Sequence, residues 1–522
     1  MLCYSLNLFI HPLIIFTVGQ IVNWVEGLEV VLLVYGIWSP GLLQSIPLSG
    51  PGFDVALEEV NSVYSNNKTF QMRRVYISSK EVAGCGDTGA YFDQISDYYY
   101  RSTGNCSPCL YILVNLGCGD PPMFAQLGRE WSMLAISAGT ASFNIRNRLL
   151  YPTTISTCPF QYRPYMVMFR KLCDLFNWRT VAYVYDTSRT LPFPLQLYDL
   201  FTSFIRLNAT DIRLQLFPIP VAPSDVIIDE SLRKILQVSR IIFLSGTPVL
   251  IRQIMVEAFK QNKTSGEYVW ITVDLPEQAV GPVTYYRNDS NDEIALQAFP
   301  SLLQLMLCYD RNADADRQLK SHFKRKAEAF YGYKYPENRQ PTEFTTSSYI
   351  IVKMIADILN RSIVQGFDYF DGQILAQHFL NYSYDAGPIG GIYVDSYGER
   401  QTKICLSTFN ETERFFQRAL FHSHTQESLQ LIPEVPLQWR TADNRPPPDT
   451  PFCGFRGDDQ RCGPISINTI VGASASAGLL LMACVLGLSM RCLHRSDTFS
   501  HLDQWWLLNE SCLGVRTHSN MW

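Results

Sequence analysis

From Ile465 to Met490 the chain reads ISINTIVGASASAGLLLMACVLGLSM without a single charged residue, and Arg491, His494 and Arg495 follow at once. A helix rises ~1.5 Å per residue, so a run of this length covers the ~30 Å hydrocarbon core of a bilayer. Basic residues collect on the cytosolic side of a span, which places residues 491–522 inside as a short tail and everything before Ile465 outside. A buried core helix rarely continues so far without a charge. The run therefore predicts a single-pass membrane protein whose large N-terminal part folds outside the cytosol.

The N-terminus is read in the same orientation. Residues 2–18, LCYSLNLFIHPLIIFTV, form an apolar stretch of secretory type, with no basic residue before it and with Thr17, Gly19 and Gly27 as small or short-side-chain positions near a cleavage point. The expectation is a signal peptide over residues 1–27; the alternative is an uncleaved anchor and two spans. Acceptors of the form Asn-x-Ser/Thr stand at Asn67, Asn105, Asn208, Asn262, Asn288, Asn360, Asn381 and Asn410, spread over the whole predicted ectodomain, while Asn509 lies beyond the span and is expected to stay bare.

Cysteine usage suits an oxidising compartment. Of 14 cysteines, those at 85, 106, 109, 118, 158, 173, 308, 405, 453 and 462 precede the span. Their number is even, but connectivity does not follow from a count. Cys453 and Cys462 are the readily joined pair, because a short Gly- and Asp-rich loop closes at small entropic expense. With the proline cluster at 446–448 they mark residues 441–464 as a stalk between ectodomain and membrane.

The net charge of -5, with 17% charged residues, offers no basic field for nucleic acid. Residues 28–440 exceed the usual size of one hydrophobic core, so two lobes are expected. Short β-rich runs recur at 28–36, 72–78, 109–116, 132–139, 178–186, 239–247 and 267–274. Between several of them lie segments of helical period such as GFDVALEEVNSVY, YRPYMVMFRKLCDLF and PVLIRQIMVEAFKQ. Strand, crossover helix and strand predict an α/β fold of two doubly wound parallel-sheet lobes with a cleft or hinge between them.

Three motifs resembling catalytic or cofactor sites carry no such chemistry on this reading. GCGDTG, with Gly84, Gly86 and Gly89, matches the dinucleotide fingerprint, but Cys85 inside it and the flanking sequons favour a turn that opens a helix. CSPC at Cys106 and Cys109 has no second pair at zinc spacing and reads as structural disulfides. His422 and His424, in HSHTQES, are taken as part of a solvated loop.

The segments GPGFDVALEEVN, CGDTGA, NLGCGDPPMFAQLGREWSMLAISAGT, FNWRTVAYVYD, GPIGGIYVDSYGERQT and PPPDTPFCGFRGDDQRC together resemble the receptor family ligand-binding region of receptor guanylate cyclases, natriuretic peptide receptors included. The resemblance covers roughly residues 28–495. It implies a bilobate, periplasmic-binding-protein-like type I ectodomain, an extracellular peptide or small-molecule ligand, homodimerisation and signalling at the plasma membrane. It also implies a first-lobe disulfide between Cys85 and Cys118 and a juxtamembrane one between Cys453 and Cys462. Gly117 and Cys118 would form a chloride-binding turn, with Ser78 or Ser79 as hydroxyl donor; no other cofactor and no metal is expected. A further cysteine pair of some members is absent, since the chain reads TSRTLPFPLQ after Asp186 and SGTP at 245–248. The kinase-homology and cyclase regions of the family's receptor cyclases have no counterpart before Trp522. LDQWWLLNE resembles the segment with which those receptors enter the kinase-homology region. The expectation is a sensor module that makes no cyclic GMP as written, either a shortened receptor cyclase or a non-catalytic binding receptor of the clearance type.

Overall fold

The apolar runs and the amphipathic segments between them assemble into two β/α series. The structure is a computed structural model; it describes residues 27–65, 69–78, 89–102, 108–117, 121–139, 143–187, 192–274, 282–308, 313–337, 339–423, 428–457, 459, 462 and 467–497. The first series comprises β1 (Leu28–Tyr35), α1 (Ile46–Tyr64), β2 (Phe70–Ile77), α2 (Gly89–Ser102), β3 (Cys109–Asn115), α3 (Pro121–Glu130), β4 (Ala135–Ser137) and β5 (Thr154–Ser156). Its strands form a parallel sheet in the order β2-β1-β3-β4-β5. Nearly every β1 residue is buried, as expected of a parallel strand covered on both faces.

The second series follows as α4 (Tyr162–Leu175), β6 (Thr180–Asp186), α5 (Pro192–Asn208), β7 (Arg213–Ile219), α6 (Asp225–Leu236), β8 (Ile241–Ser245), α7 (Pro248–Lys260), β9 (Val269–Val273), α8 (Asp292–Ala298) and β10 (Leu302–Cys308). The chain then returns to the first lobe as α9 (Ala313–Tyr331), α10 (Glu343–Gln365), α11 (Gly372–Gln377) and a small antiparallel sheet of β11 (Tyr382–Asp385), β12 (Gly391–Val394) and β13 (Arg400–Gln401). It re-enters the second lobe through β14 (Lys403–Asn410), β15 (Phe415–His422) and β16 (Gln430–Leu431).

The two-lobed expectation is met in its main lines, with one correction. The second sheet is mixed: β7, β6, β8, β9 and β10 run parallel, but β14 pairs antiparallel with β10, and β15 and β16 continue as a meander. The cause is topological. β10 leaves the lobe at Cys308 and β14 re-enters at Lys403, opposite Cys308 in the register, so adjacent strands with their exits side by side must run in opposite directions.

The returning helices complete the first lobe. α10 lies against α1 so closely that a Cβ at Gly52 would stand 2.1 Å from the Thr345 carbonyl oxygen, so only glycine allows this approach. Thr345 Oγ1 donates to the Leu48 carbonyl at 2.8 Å, satisfying a buried hydroxyl at the same contact. α9 is tied in by a polar cluster: Tyr331 OH donates to Asp54 Oδ2 at 2.8 Å, and Arg74 from β2 pairs with the same carboxylate.

Residues 441–449, expected in the stalk, instead pack on the second lobe. The carbonyl of Pro447 accepts the Trp178 indole N–H at 3.1 Å, and Asp449 Oδ1 accepts the backbone N–H groups of Arg179 and Thr180 at 2.7 and 2.8 Å. Prolines hold the segment extended and leave its carbonyls free to accept, so the cluster behaves as a docked strap rather than a linker. His422, expected in a loop, lies in β15 opposite Ile404 and is only 9% exposed; the β14–β15 pairing extends one residue farther than the polar segment suggested.

Residues from Pro451 onward form a separate unit. Within it Cys453 is bonded to Cys462, and α12 (Ile467–Asp497) carries the uncharged run. Its described side chains, residues 476–491, are exposed, Leu479, Leu480 and Leu481 by 66–69%. Among the described residues no helix is long and apolar enough to cross a membrane.

Candidate functional site

The chain passes between the lobes three times: through residues 157–161 after β5, between the end of β10 at Cys308 and the start of α9 at Ala313, and at Thr402 between β13 and β14. The first two depart from the carboxyl ends of parallel strands. The carboxyl edges of both sheets therefore face the hinge, where open α/β sheets bind ligands. The strand ends carry the corresponding chemistry: after apolar bodies, β3, β4, β6 and β8 finish on Asn115, Ser137, Asp186 and Ser245, all at most 5% exposed. Asp274 follows β9, its carboxyl pushed up to about 6 by burial. That polar ending stands in the sequence as LVN, AIS, VYD, FLS and TVD, a signal distinct from the apolar content that marks the strands themselves. Residues 118–120, 140–142, 188–191 and 275–281, which continue several of these ends, lie outside the described residues.

The hinge is reinforced from two sides. Cys308 and Cys405 are disulfide-bonded, Cα atoms 5.8 Å apart, so the roots of the outgoing and returning linkers are stapled together. Beside them Cys158, Phe160 and Phe344 form a small apolar cluster joined by Leu43 and Leu307. Burial pushes the Cys158 thiol up to about 12, which leaves it without thiolate character at neutral pH.

A second interlobe feature sits at the flank of the hinge. The turn DSYGE is closed by Asp395, whose Oδ1 accepts the N–H groups of Tyr397 and Glu399 at 2.9 and 3.0 Å while Oδ2 accepts Gln401 Nε2 at 2.8 Å. Gly398, at φ +80°, lets its carbonyl accept the Ser156 N–H at 2.7 Å, so the turn extends the β5 edge. Tyr397 and Glu399 thereby reach a cavity of about 390 Å³, shared with Arg146 and Asn147 of the first lobe and with residues of α4 and α5 of the second. Arg146 pairs with Glu399 at 3.0 Å and lies 4.3 Å from the Tyr397 ring centroid. Burial raises the Glu399 carboxyl to about 7 against the opposing pull of Arg146, with Asp395 adding to the rise and Arg163 reducing it.

The expected site residues fall as follows. Cys85, Cys118, Ser79, Cys106, Asn67, Asn105, His424 and Asn509 lie outside the described residues, as do Gly84 and Gly86; Gly89 is the first residue of α2. Cys109 is disulfide-bonded to a partner outside them, and Cys158 and Cys173 are free and buried. Of the residues expected at the chloride-binding turn, Ser78 and Gly117 are described, and the Gly117 N–H donates to Asn115 Oδ1 at 2.7 Å. Asn208, Asn262, Asn288 and Asn381 are exposed, whereas Asn360 and Asn410 are half-buried, and Asn410 Nδ2 already donates to Gln417 Oε1. Among the described residues no group of three His, Cys, Asp or Glu could hold a metal.

Two α/β lobes, three linkers and polar strand ends facing the hinge define a bilobate ligand-binding module. The receptor family ligand binding region matches residues 49–406, and the chain belongs to that family. It is 22% identical over 449 residues to the human atrial natriuretic peptide receptor 2, covering 83% of this chain and 40% of that receptor. It is likewise 22% identical over 379 residues to the human atrial natriuretic peptide receptor 3, covering 68% of this chain and 66% of the other. A mouse gamma-aminobutyric acid type B receptor subunit 1 is 25% identical over 226 residues, 43% of this chain and 21% of the subunit. The chain thus spans about two fifths or less of the receptor 2 relatives.

Proposed function

We propose that this chain is the sensor of a single-pass, glycosylated plasma-membrane receptor that works as a homodimer and binds an extracellular ligand between or beside its lobes. The observation that carries the reading is the hinge: polar strand ends of both sheets face it, and a disulfide between Cys308 and Cys405 ties the strands that leave and re-enter the second lobe at its base. A ligand touching both lobes shifts their relative arrangement by its differential affinity for the two states. The exposed apolar side chains of α12 support a place for that helix in lipid, since such a surface marks a membrane or protein contact. The relatives' names make a peptide of the natriuretic type the first ligand to try.

The test is a tagged chain on intact cells. An epitope after residue 27 is expected to stain without permeabilisation and one after Trp522 only with it, while glycosidase lowers the mass and leaves Asn509 unmodified. Staining of the C-terminal epitope on intact cells overturns the orientation. Cyclic GMP measured in cells lacking other receptor cyclases separates a cyclase-coupled sensor from a non-catalytic binding receptor.

A further inference from the structure

The flank cavity has a chemistry of its own. Its lobe-II wall includes Leu200, Phe204 and Leu207 from α5, spaced four and three apart so that they share one helical face. Leu207 is 70% exposed, an apolar side chain left uncovered among the described residues. Opposite that wall two guanidinium groups come together, Arg146 from the first lobe and Arg163 from α4 of the second, both placed over the Tyr397 ring at 4.3 and 5.6 Å. Arg146 is committed to Glu399, but Arg163 is not comparably engaged. Its side chain is 42% exposed, makes no hydrogen bond among the described residues and has only a 3.7 Å ion pair to Asp395. Asp395 in turn has both oxygens taken by three N–H donors. The one acid in the lining, Glu399, is the partner of Arg146, so two guanidinium groups stand there against a single carboxylate. The lining is therefore net positive at one end and apolar at the other, and it is divided between the lobes.

We propose that this flank cavity binds an amphipathic organic anion, a monocarboxylate with an apolar body, whose carboxylate is held by Arg163 with Arg146 beside it and whose body lies along Leu200, Phe204 and Leu207. A guanidinium offers planar paired donors that match a carboxylate, and about 390 Å³ suits a compact small molecule. A neutral molecule leaves Arg163 without an acceptor, and a cation meets two like charges. Because the carboxylate contacts residues of both lobes, occupancy stabilises their present arrangement and adds a control point separate from the crevice at the strand ends.

The experiment uses the full chain in lipid nanodiscs, with empty nanodiscs as the blank, and two probes of the same body: 4-phenylbutyrate and 4-phenylbutan-1-ol. Saturation-transfer NMR and calorimetry are expected to show the carboxylate binding at least tenfold more tightly than the alcohol. Arg163→Gln removes that difference without altering alcohol binding, and Leu207→Ser weakens both probes; an unchanged melting curve for each variant shows that the fold is retained. Equal affinities for acid and alcohol, an Arg163→Gln protein that still prefers the acid, or no binding of 4-phenylbutyrate at millimolar concentration overturns the proposal. None of these outcomes bears on the receptor reading, which rests on the hinge and the membrane orientation.

Discussion

Replacing Cys308 and Cys405 together by alanine removes the staple at the base of the hinge. The bond spans 97 residues of sequence, a loop that contains the whole second contribution to the first lobe, from α9 to β13. In the chain-entropy account, opening a loop of roughly 100 residues restores about 4.7 kcal/mol of freedom to the unfolded state at 25 °C. Both cysteines are buried, at 1% and 2% exposure, and their lost packing adds about 1 kcal/mol. The sum is about 5 to 6 kcal/mol, a large part of the ~5–15 kcal/mol by which domains are usually stable. Urea unfolding followed by tryptophan fluorescence reads it directly, because Trp178 and Trp270 are fully buried in the second lobe. The matched control is Cys453→Ala with Cys462→Ala, whose separation of 9 residues predicts about 2.6 kcal/mol and whose bond lies in the separate unit. That control is expected to leave the lobe transition where it was. A Cys308/Cys405 double variant whose lobes unfold within about 1 kcal/mol of the parent refutes the reasoning, because the entropy of that loop would then have been limited by something other than the bond.

Three further outcomes follow from particular contacts. Glu399 is raised from 4.5 to about 7 in the folded chain by burial, with Arg146, Asp395 and Arg163 as the charged groups facing it. The folded state therefore holds this proton longer than the unfolded one, so its contribution is full below about pH 4.5 and is lost as pH rises toward 7. Melting temperature is expected to fall over that window, and Glu399→Gln to flatten the fall; an unchanged slope in the variant removes Glu399 as its cause. Gly52→Ala is expected to destabilise the first lobe by about 2 kcal/mol or more, since the new methyl meets α10 backbone rather than a side chain that could move, and a neutral result in urea unfolding contradicts the contact. Asp449→Ala removes the acceptor of two backbone N–H groups and of Thr180 Oγ1 and is expected to cost about 1 to 3 kcal/mol. Hydrogen exchange at Arg179 and Thr180 is expected to quicken, and unaltered protection there rules out the strap.

Much of the fold was legible because it is local. The strands at 28–35, 109–115, 180–186 and 241–245 and the helices at 162–175 and 248–260 stand where apolar period and β-branched content placed them. The pairing of Cys453 with Cys462 needed only nine residues of spacing. What was misjudged depends on partners distant in the chain. β4 is three residues long, within an apolar run that suggested eight, because only Ala135–Ser137 finds both β3 and β5 beside it. The proline cluster carries a linker composition, yet Trp178 and the Thr180 amide, some 270 residues earlier, supply its donors.

The sequence by itself determined the elements, the presence of two cores, the family and the uncharged run, because periodicity, composition and short motifs are properties of neighbouring residues. Only the tertiary structure decided which ends meet. The Cys308–Cys405 staple joins strands that become adjacent only after an entire half-lobe has been built between them. The flank cavity exists because Arg146 and Glu399 are brought to 3.0 Å and Arg163 is set over Tyr397, contacts between segments that share no local pattern. A one-dimensional pattern records how a segment can bury its own side chains, whereas a site between lobes depends on how separately buried segments are positioned against one another.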